Sequence, residues 1–127
     1  MEFKMIGVAI GVLGSTAIVV GAVMTVSTPD ILFDMPAVLL VVAMALFSTF
    51  GVSGKLPKAA LVRHFGQASV RAGWIGVLVG IILIFSMADP SSPDFVEYLL
   101  RAGAVTALTP LYGYGLDFLA RIISPQA

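Results

Sequence analysis

Residues 73–113 read GWIGVLVGIILIFSMADPSSPDFVEYLLRAGAVTALTPLYG. An apolar, glycine-spaced segment runs to an Asp-Pro turn, and a second apolar segment returns from it through Leu-Thr-Pro-Leu-Tyr-Gly. Two such segments joined by a short polar turn are typical of a transmembrane helical hairpin. Small residues and hydroxyls occupy positions where membrane helices usually meet each other or line a path.

The composition of the whole chain indicates that lipid surrounds this hairpin. The 127 residues are 59% hydrophobic and only 11% charged, whereas a soluble domain carries about 25% charged residues. The net charge is zero, so no nucleic-acid partner is expected. Without cysteine, and with one histidine, the chain offers no disulfide and no cysteine or histidine metal cluster. We predict a single membrane domain, residues 1–127, with no metal or cofactor.

Four stretches approach or exceed the apolar length that a spanning helix requires, about 20 residues. They predict an all-α membrane protein with four transmembrane helices, over about residues 5–26, 35–52, 72–88 and 96–123. The uncharged opening run is longer than the apolar part of a signal peptide, and we interpret it as a retained first span. The polar loop 54–71 is expected to contain either a short amphipathic surface helix or an ordinary basic turn.

The charged residues sort by side of the predicted membrane. Basic residues lie between the second and third spans and near the two chain ends: Lys55, Lys58, Arg63, Arg71, Lys4 and Arg121. Acidic residues lie in or near the other two loops: Asp30, Asp34, Asp89, Asp94 and Glu97. By the positive-inside rule, both termini and the basic loop are cytoplasmic.

Glycine recurs at helical spacing in two of the spans. Gly7 and Gly11 begin a stripe in the first span, and Gly73, Gly76 and Gly80 form one in the third. Small residues let helix backbones approach closely in lipid. For the first span we favour packing within the chain. For the third, beside a threonine-rich helix, an intersubunit or pore-facing role is an equal alternative.

The fourth span contains a polar cluster around a proline. Pro110 lacks an N–H, so the carbonyl of Thr106 loses its usual helical partner and the helix should bend. A freed carbonyl at membrane depth needs another partner. Thr106, Thr109 and this carbonyl therefore predict either a kink satisfied by threonine hydroxyls or part of a hydrated ion path.

One acid is expected to enter the membrane region. Asp117 lies about 6 Å inside the edge set by Arg121, and their spacing places both charges on one helical face. A carboxylate in lipid is costly, so we favour an interfacial ion pair over a proton-carrying acid. His64 is expected to be a solvated surface residue. Nothing resembles a nucleophile–base pair or a phosphate loop, so we predict no enzymatic active site.

The hairpin resembles the last two membrane helices of the flagellar stator A subunit, MotA, and more distantly TolQ and ExbB. The third helix of that family carries Gly-x-Ile-Gly-Thr-Leu-x-Gly, which residues 73–80 resemble. Asp89-Pro90 is similar to the turn that follows. The fourth helix carries Ala-Leu-Leu-Thr-Thr-Leu-Tyr-Gly, similar to residues 106–113, and Gly113 at the end of this segment is expected to serve helix packing. The first half of the chain matches only loosely.

This resemblance implies a ring subunit of an ion-driven motor in the bacterial inner (cytoplasmic) membrane. In the family, five A subunits surround the membrane helices of two single-span B subunits of the MotB, TolR or ExbD type. Ions, here expected to be protons, pass a carboxylate on the B subunit, and their flow turns the ring. The resemblance places Val77, Thr106, Thr109 and Pro110 beside the ion path.

The chain departs from the family pattern in three ways. Val77 and Pro110 stand where threonines usually face the ion path, although Thr106 offers a hydroxyl one turn away. Val70 or Arg71 stands where a proline usually begins the third helix. The large cytoplasmic domain is reduced to a short basic loop, which predicts a reduced relative serving an apparatus other than the flagellar rotor.

Two other functions suit this length and number of spans. A small four-helix exporter would act as a dimer, but such exporters depend on a glutamate in the first span, and no charge lies between Lys4 and Asp30. A structural membrane subunit without transport is the other alternative, which the absence of acids within the membrane would permit.

Overall fold

The computed structural model describes residues 2–25 and 32–124, which form four α-helices. In chain order these are α1 (Glu2–Met24), α2 (Met35–Val52), α3 (Lys58–Met87) and α4 (Phe95–Ile123). The predicted all-helical fold is confirmed. Three helices, α1, α2 and α3, are long and apolar enough to cross a bilayer, which indicates a membrane protein. α4 carries four charged residues and is less apolar. Asp30 lies outside the described residues.

α2 begins where its sequence supplies a helix cap. Asp34 has an extended backbone, and its carboxylate accepts a hydrogen bond from the N–H of Ala37 at 3.1 Å. This bond satisfies one of the backbone donors that the first helical turn leaves without a partner. Pro36 is tolerated in the same turn because its missing N–H would have had no intrahelical acceptor.

α3 begins at Lys58, not at Ala72 as the sequence predicts. Most of the loop 54–71 is therefore helix, continuous with the third span, and it is neither a separate surface helix nor a long turn. No proline lies within α3, and the first half of this helix packs against its neighbours, burying Ala68 and Ala72. Tertiary packing supplies most of the stability of a helix, so this segment is helical although its polar composition suggests a loop.

α3 and α4 form an antiparallel pair that contains most of the core. The buried residues of α3 lie between Gly66 and Gly76, and those of α4 between Thr109 and Ala120. At one end of the pair, the Ser124 hydroxyl donates to the carbonyl of Ala59 at 3.0 Å. A short turn closes the other end.

α2 lies against the first half of α3. Its buried face consists of Ala37, Val41 and Ala45. The Ser48 hydroxyl lies 3.0 Å from Nε2 of His64, a hydrogen bond that joins the two helices. His64 is thus half-buried between helices, and the prediction of a solvated surface residue is wrong. The cause is the extension of α3 through the predicted loop.

α1 lies at the edge of the bundle, and none of its side chains with described exposure is buried. Its close approach is at Gly11, where an added Cβ would lie 3.1 Å from Cγ2 of Ile122. Gly7, Gly14 and Gly21 have no such neighbour within 4 Å. The prediction that this stripe packs within the chain therefore holds at Gly11 and is wrong elsewhere, because α1 meets α4 over a short stretch.

Along the long axis of the bundle, the start of α2 is not level with the start of α4. The Tyr112 hydroxyl accepts a hydrogen bond from the N–H of Asp34 at 2.8 Å and donates to the carbonyl of Leu32, so α2 begins beside Tyr112. At 1.5 Å per residue, this level lies about 26 Å along α4 from Phe95. The part of α3–α4 formed by residues 78–105 consequently extends beyond the start of α2.

Candidate functional site

Two rows of mostly small residues face each other along α3 and α4, and we call them together the seam. Their members are Gly66, Ser69, Gly73, Gly76 and Gly80 on α3, and Thr106, Thr109, Gly113 and Ala120 on α4. Successive members are separated by three, four or seven residues. This spacing keeps one face of each helix against its partner, as in a left-handed helix pair.

The two backbones touch at the middle of the seam. A Cβ added at Gly73 would lie 2.8 Å from both Cα of Pro110 and the carbonyl oxygen of Thr109. A Cβ added at Gly113 would overlap the carbonyl of Ser69. In both places the obstacle is backbone, which cannot rotate away as a side chain can. Glycine is therefore required at both positions for the helices to approach this closely.

Two glycines of α3 accommodate the threonines of α4. A Cβ at Gly76 would lie 2.8 Å from Cβ of Thr109, and one at Gly80 would lie 2.6 Å from Oγ1 of Thr106. The predicted glycine stripe of the third span therefore packs within the chain. Its partner is the threonine-rich helix that the sequence places next to it.

The Thr109 hydroxyl supplies the partner that Pro110 removes. Oγ1 of Thr109 lies 2.9 Å from the carbonyl oxygen of Thr106 and 3.1 Å from that of Gly73, and the residue is only 6% exposed. The Thr106 carbonyl is the one that lacks a helical N–H donor because of Pro110. The Thr109 hydroxyl is therefore placed to satisfy the freed carbonyl, as the first of the two predictions for this cluster expects.

The other predicted path residues lie in or beside the seam. The Thr106 hydroxyl donates to the carbonyl of Ala102 at 2.9 Å. Thr106, Pro110 and Val77 are half-buried in the single chain. Among the described residues, every buried side-chain nitrogen or oxygen has a hydrogen-bond partner. The hydroxyls of Thr106 and Thr109 are thus both bonded to backbone carbonyls of the hairpin.

The predicted ion pair is present near the C-terminal end of α4. Nε of Arg121 lies 3.0 Å from Oδ2 of Asp117, whose side chain is 15% exposed. A Cβ added at Gly66 would lie 2.8 Å from Oδ1 of the same carboxylate. Gly66 therefore provides the space that Asp117 occupies between the helices. Sequence reasoning missed Gly66, although its separation of seven residues from Gly73 was the available signal.

A second ion pair and an aromatic pair lie on the surface of the hairpin. Nη2 of Arg101 lies 2.8 Å from Oε1 of Glu97, and both side chains are mostly exposed. The rings of Trp74 and Tyr114 meet edge to face at 6.5 Å, and the indole N–H donates to the Tyr114 hydroxyl at 3.1 Å. Within residues 2–25 and 32–124, no group of three or more acids and histidines is arranged to hold a metal ion.

An apolar cavity of about 390 Å³ separates much of α1 from α2 and α4. Its wall includes Thr16 of α1, Val42 of α2 and Leu116 of α4. The Thr16 hydroxyl donates its one hydrogen to the carbonyl of Val12 at 2.8 Å. The cavity explains why α1 has few close neighbours.

No protein-family model, curated protein or solved structure matches this chain. The resemblance to the stator family therefore rests on the motif residues 73–80 and 106–113. In the structure these two segments contact each other: Gly73 meets Pro110, Gly76 meets Thr109 and Gly80 meets Thr106.

Proposed function

We propose that this chain is the ring-forming A-type subunit of an ion-driven membrane motor, a reduced relative of MotA, TolQ and ExbB. The observation that carries the proposal is the seam, in which both motif segments of the resemblance meet with their backbones in contact. Asp117 is ion-paired with Arg121 and is not a free carboxylate. An ion path through the assembly would therefore take its acid from another chain, as the B-type partner provides in that family.

The proposal includes four spans, with both termini and the 53–57 turn on the cytoplasmic side of a bacterial inner membrane. Three apolar helices support it, and α4 is the antiparallel partner of α3 and would cross with it. The chain contains no cysteine, so single cysteines can report the orientation. A membrane-impermeant thiol reagent added to spheroplasts should label Ser91→Cys, and should label Ser53→Cys only after permeabilisation. Labelling of both from outside would contradict this orientation.

A homo-oligomer is supported by the apolar surface that the single chain leaves uncovered. Leu78, Ile82 and Phe85 of α3 are 62%, 66% and 76% exposed. In a ring with its symmetry axis along the membrane normal, equivalent residues of all copies lie at the same depth in the membrane. The apolar surface of one copy can therefore pack against its neighbour at that depth. We propose five copies around two single-span partner helices.

Symmetry is the decisive measurement for the assembly. Electron microscopy of the complex purified from its native membrane should show five-fold symmetry around a partner that bears an aspartate in its single span. A dimer without such a partner would contradict the motor and would favour an exporter.

Two threonines provide a matched test of the ion path. Each hydroxyl, of Thr106 and of Thr16, donates to the carbonyl four residues earlier in its own helix. Only Thr106 lies in the seam. Thr106→Val should lower ion-coupled activity more than Thr16→Val, measured as proton flux in liposomes containing the assembled complex. Equal effects would remove Thr106 from the path.

A structural subunit without transport is the second candidate. It is favoured by the hydroxyls of Thr106 and Thr109, which are both bonded to backbone carbonyls and leave no free donor for an ion's hydration shell. In that case the assembled complex would bind its partner but conduct no protons under an imposed pH gradient.

A further inference from the structure

Beyond Gly80 and Thr106 the two helices separate and leave an apolar cleft of about 380 Å³. Its wall is formed by residues of both helices: Gly80, Leu83, Ile84, Ala102, Val105 and Thr106. The Thr106 hydroxyl is bonded to the carbonyl of Ala102. This part of the wall therefore offers mainly van der Waals contact, because the Thr106 hydroxyl donates its one hydrogen within its own helix.

A polar pocket of about 250 Å³ adjoins the cleft toward the start of α4. Asp94, Glu97, Tyr98 and Arg101 line it, and the last two also line the cleft. The side chains of Arg101 and Glu97 are 78% and 66% exposed, so a ligand can reach both charges. One cation and two carboxylates thus stand at the mouth of an apolar cleft.

Apolar side chains surround this site on the outer surface of the hairpin. Leu83, Leu100 and Val105 are 52%, 72% and 43% exposed. In a membrane protein such a surface faces lipid or another apolar chain. Arg101 lies about 9 Å along α4 from Phe95, close to the end of the helix, where headgroups are expected to lie.

We propose that the cleft and the adjoining pocket bind one phospholipid with an ethanolamine headgroup. An acyl chain fills the cleft, the phosphate binds Arg101 and the Tyr98 hydroxyl, and the ammonium group binds Glu97 and Asp94. The guanidinium of arginine matches phosphate oxygens, and an ammonium donates charge-assisted hydrogen bonds to carboxylates. This site is independent of the motor function proposed above.

The charges of the pocket favour this headgroup over others. Two carboxylates and one guanidinium give the pocket a net negative charge, which repels an anionic glycerol headgroup. A choline headgroup keeps the positive charge but has no N–H, so it makes no hydrogen bond to Glu97 or Asp94. Ethanolamine satisfies all three charged groups at once.

Native mass spectrometry of the purified full-length chain tests the proposal. Lipids with identical acyl chains and ethanolamine, choline or glycerol headgroups are added at equal concentration. One ethanolamine lipid per chain should bind about tenfold more tightly than the glycerol lipid, the size expected for one charge-assisted hydrogen bond. An equal or stronger affinity for the glycerol lipid would overturn the proposal.

Variants locate the site and distinguish its two parts. Ala102→Leu fills the cleft and should abolish the preferred binding, whereas Ala104→Leu, an exposed alanine of the same helix outside the cleft, should leave it unchanged. Equal binding by both variants would overturn the assignment to the cleft. Glu97→Gln should reduce the ethanolamine preference over choline, and Arg101→Gln should weaken binding of all three lipids. Because both charged residues are exposed, these two variants test the proposal even where Ala102→Leu disturbs helix packing.

Discussion

The hydroxyl of Tyr112 accepts a hydrogen bond from the backbone N–H of Asp34 at 2.8 Å, across 78 residues of sequence. The same hydroxyl donates to the carbonyl of Leu32, and the Asp34 carboxylate in turn caps α2. One phenol of α4 therefore sets the position of α2 relative to the α3–α4 pair.

Replacing Tyr112 with phenylalanine should destabilise the fold. The change leaves the Asp34 N–H and the Leu32 carbonyl without this partner, which costs about 1–3 kcal/mol where water cannot replace it. The measurement is the free energy of unfolding in mixed micelles. Tyr114→Phe is the matched control, since its hydroxyl accepts one bond from Trp74 on the surface. A loss of stability no larger than that of the control would show that Tyr112 does not hold α2.

Gly113→Ala should separate α3 from α4. The added methyl group would overlap the Ser69 carbonyl, and overpacking of this kind costs about 1–3 kcal/mol. Gly115→Ala is the control on the same helix, because no neighbour lies within 4 Å of its added Cβ. It should be neutral or stabilising, by up to about 1 kcal/mol of helix propensity. Equal unfolding free energies for the two variants would refute backbone contact in the seam.

Thr109→Val should lower stability more than Thr106→Val. Valine keeps the shape of threonine, so the comparison isolates the hydroxyl. Without Thr109 Oγ1 the Thr106 carbonyl has neither a helical N–H nor a side-chain donor, and a loss of about 1–2 kcal/mol is expected. The hydroxyl of Thr106 donates to the Ala102 carbonyl, which keeps its helical N–H donor. Restoration of stability by Thr109→Ser would confirm that the hydroxyl is responsible.

The turn between α3 and α4 should respond to acid through Asp89. The Ser91 hydroxyl at 2.6 Å and the Ser91 N–H at 3.0 Å hold the pKa of the Asp89 carboxyl below its ordinary value of 3.8. A lowered pKa in the folded state contributes stability that is present above the ordinary value and is lost as pH falls through the lowered one. The turn should therefore stay closed at neutral pH and loosen only below pH 3.8.

A serine substitution tests the cause of this lowered pKa. Ser91→Ala removes the hydroxyl donor and should raise the pKa of Asp89 toward 3.8, as measured by carbon NMR of the carboxyl group. Ser92→Ala is the control, because the Ser92 hydroxyl accepts from the N–H of Asp94 instead. A pKa of Asp89 that is the same in both variants would refute the role of Ser91.

Local signals in the sequence were sufficient for several elements and insufficient for others. The start of α2 is predictable because Asp34 can cap the helix and Pro36 is tolerated in its first turn. The start of α3 is not, since it depends on burial of residues such as Ala68 against neighbouring helices, and a basic, polar composition suggests a loop. The position of α1 at the edge of the bundle cannot be predicted from its glycines either. Their spacing shows which face of the helix has small side chains, but not whether another helix packs against that face.

Some residues of the seam could likewise be predicted from the sequence, and others could not. Gly73, Gly76 and Gly80 were recognisable from their spacing, and the sequence predicts the freed Thr106 carbonyl from Pro110 alone. Gly66 escaped notice because it lies in a segment assigned to a loop. The Tyr112 bond to Asp34 was unpredictable, since it depends on the height at which α2 packs against α4.

That difference in height has a consequence for the surrounding bilayer. The start of α2 lies about 26 Å along α4 from Phe95, close to the full thickness of a hydrocarbon core. A flat sheet of lipid cannot cover both levels of a stepped surface, so the lipid beside the protein must tilt or thin, or the helices must lean. The folded protein would then deform the bilayer around it, and the free energy of this deformation would depend on membrane thickness and tension.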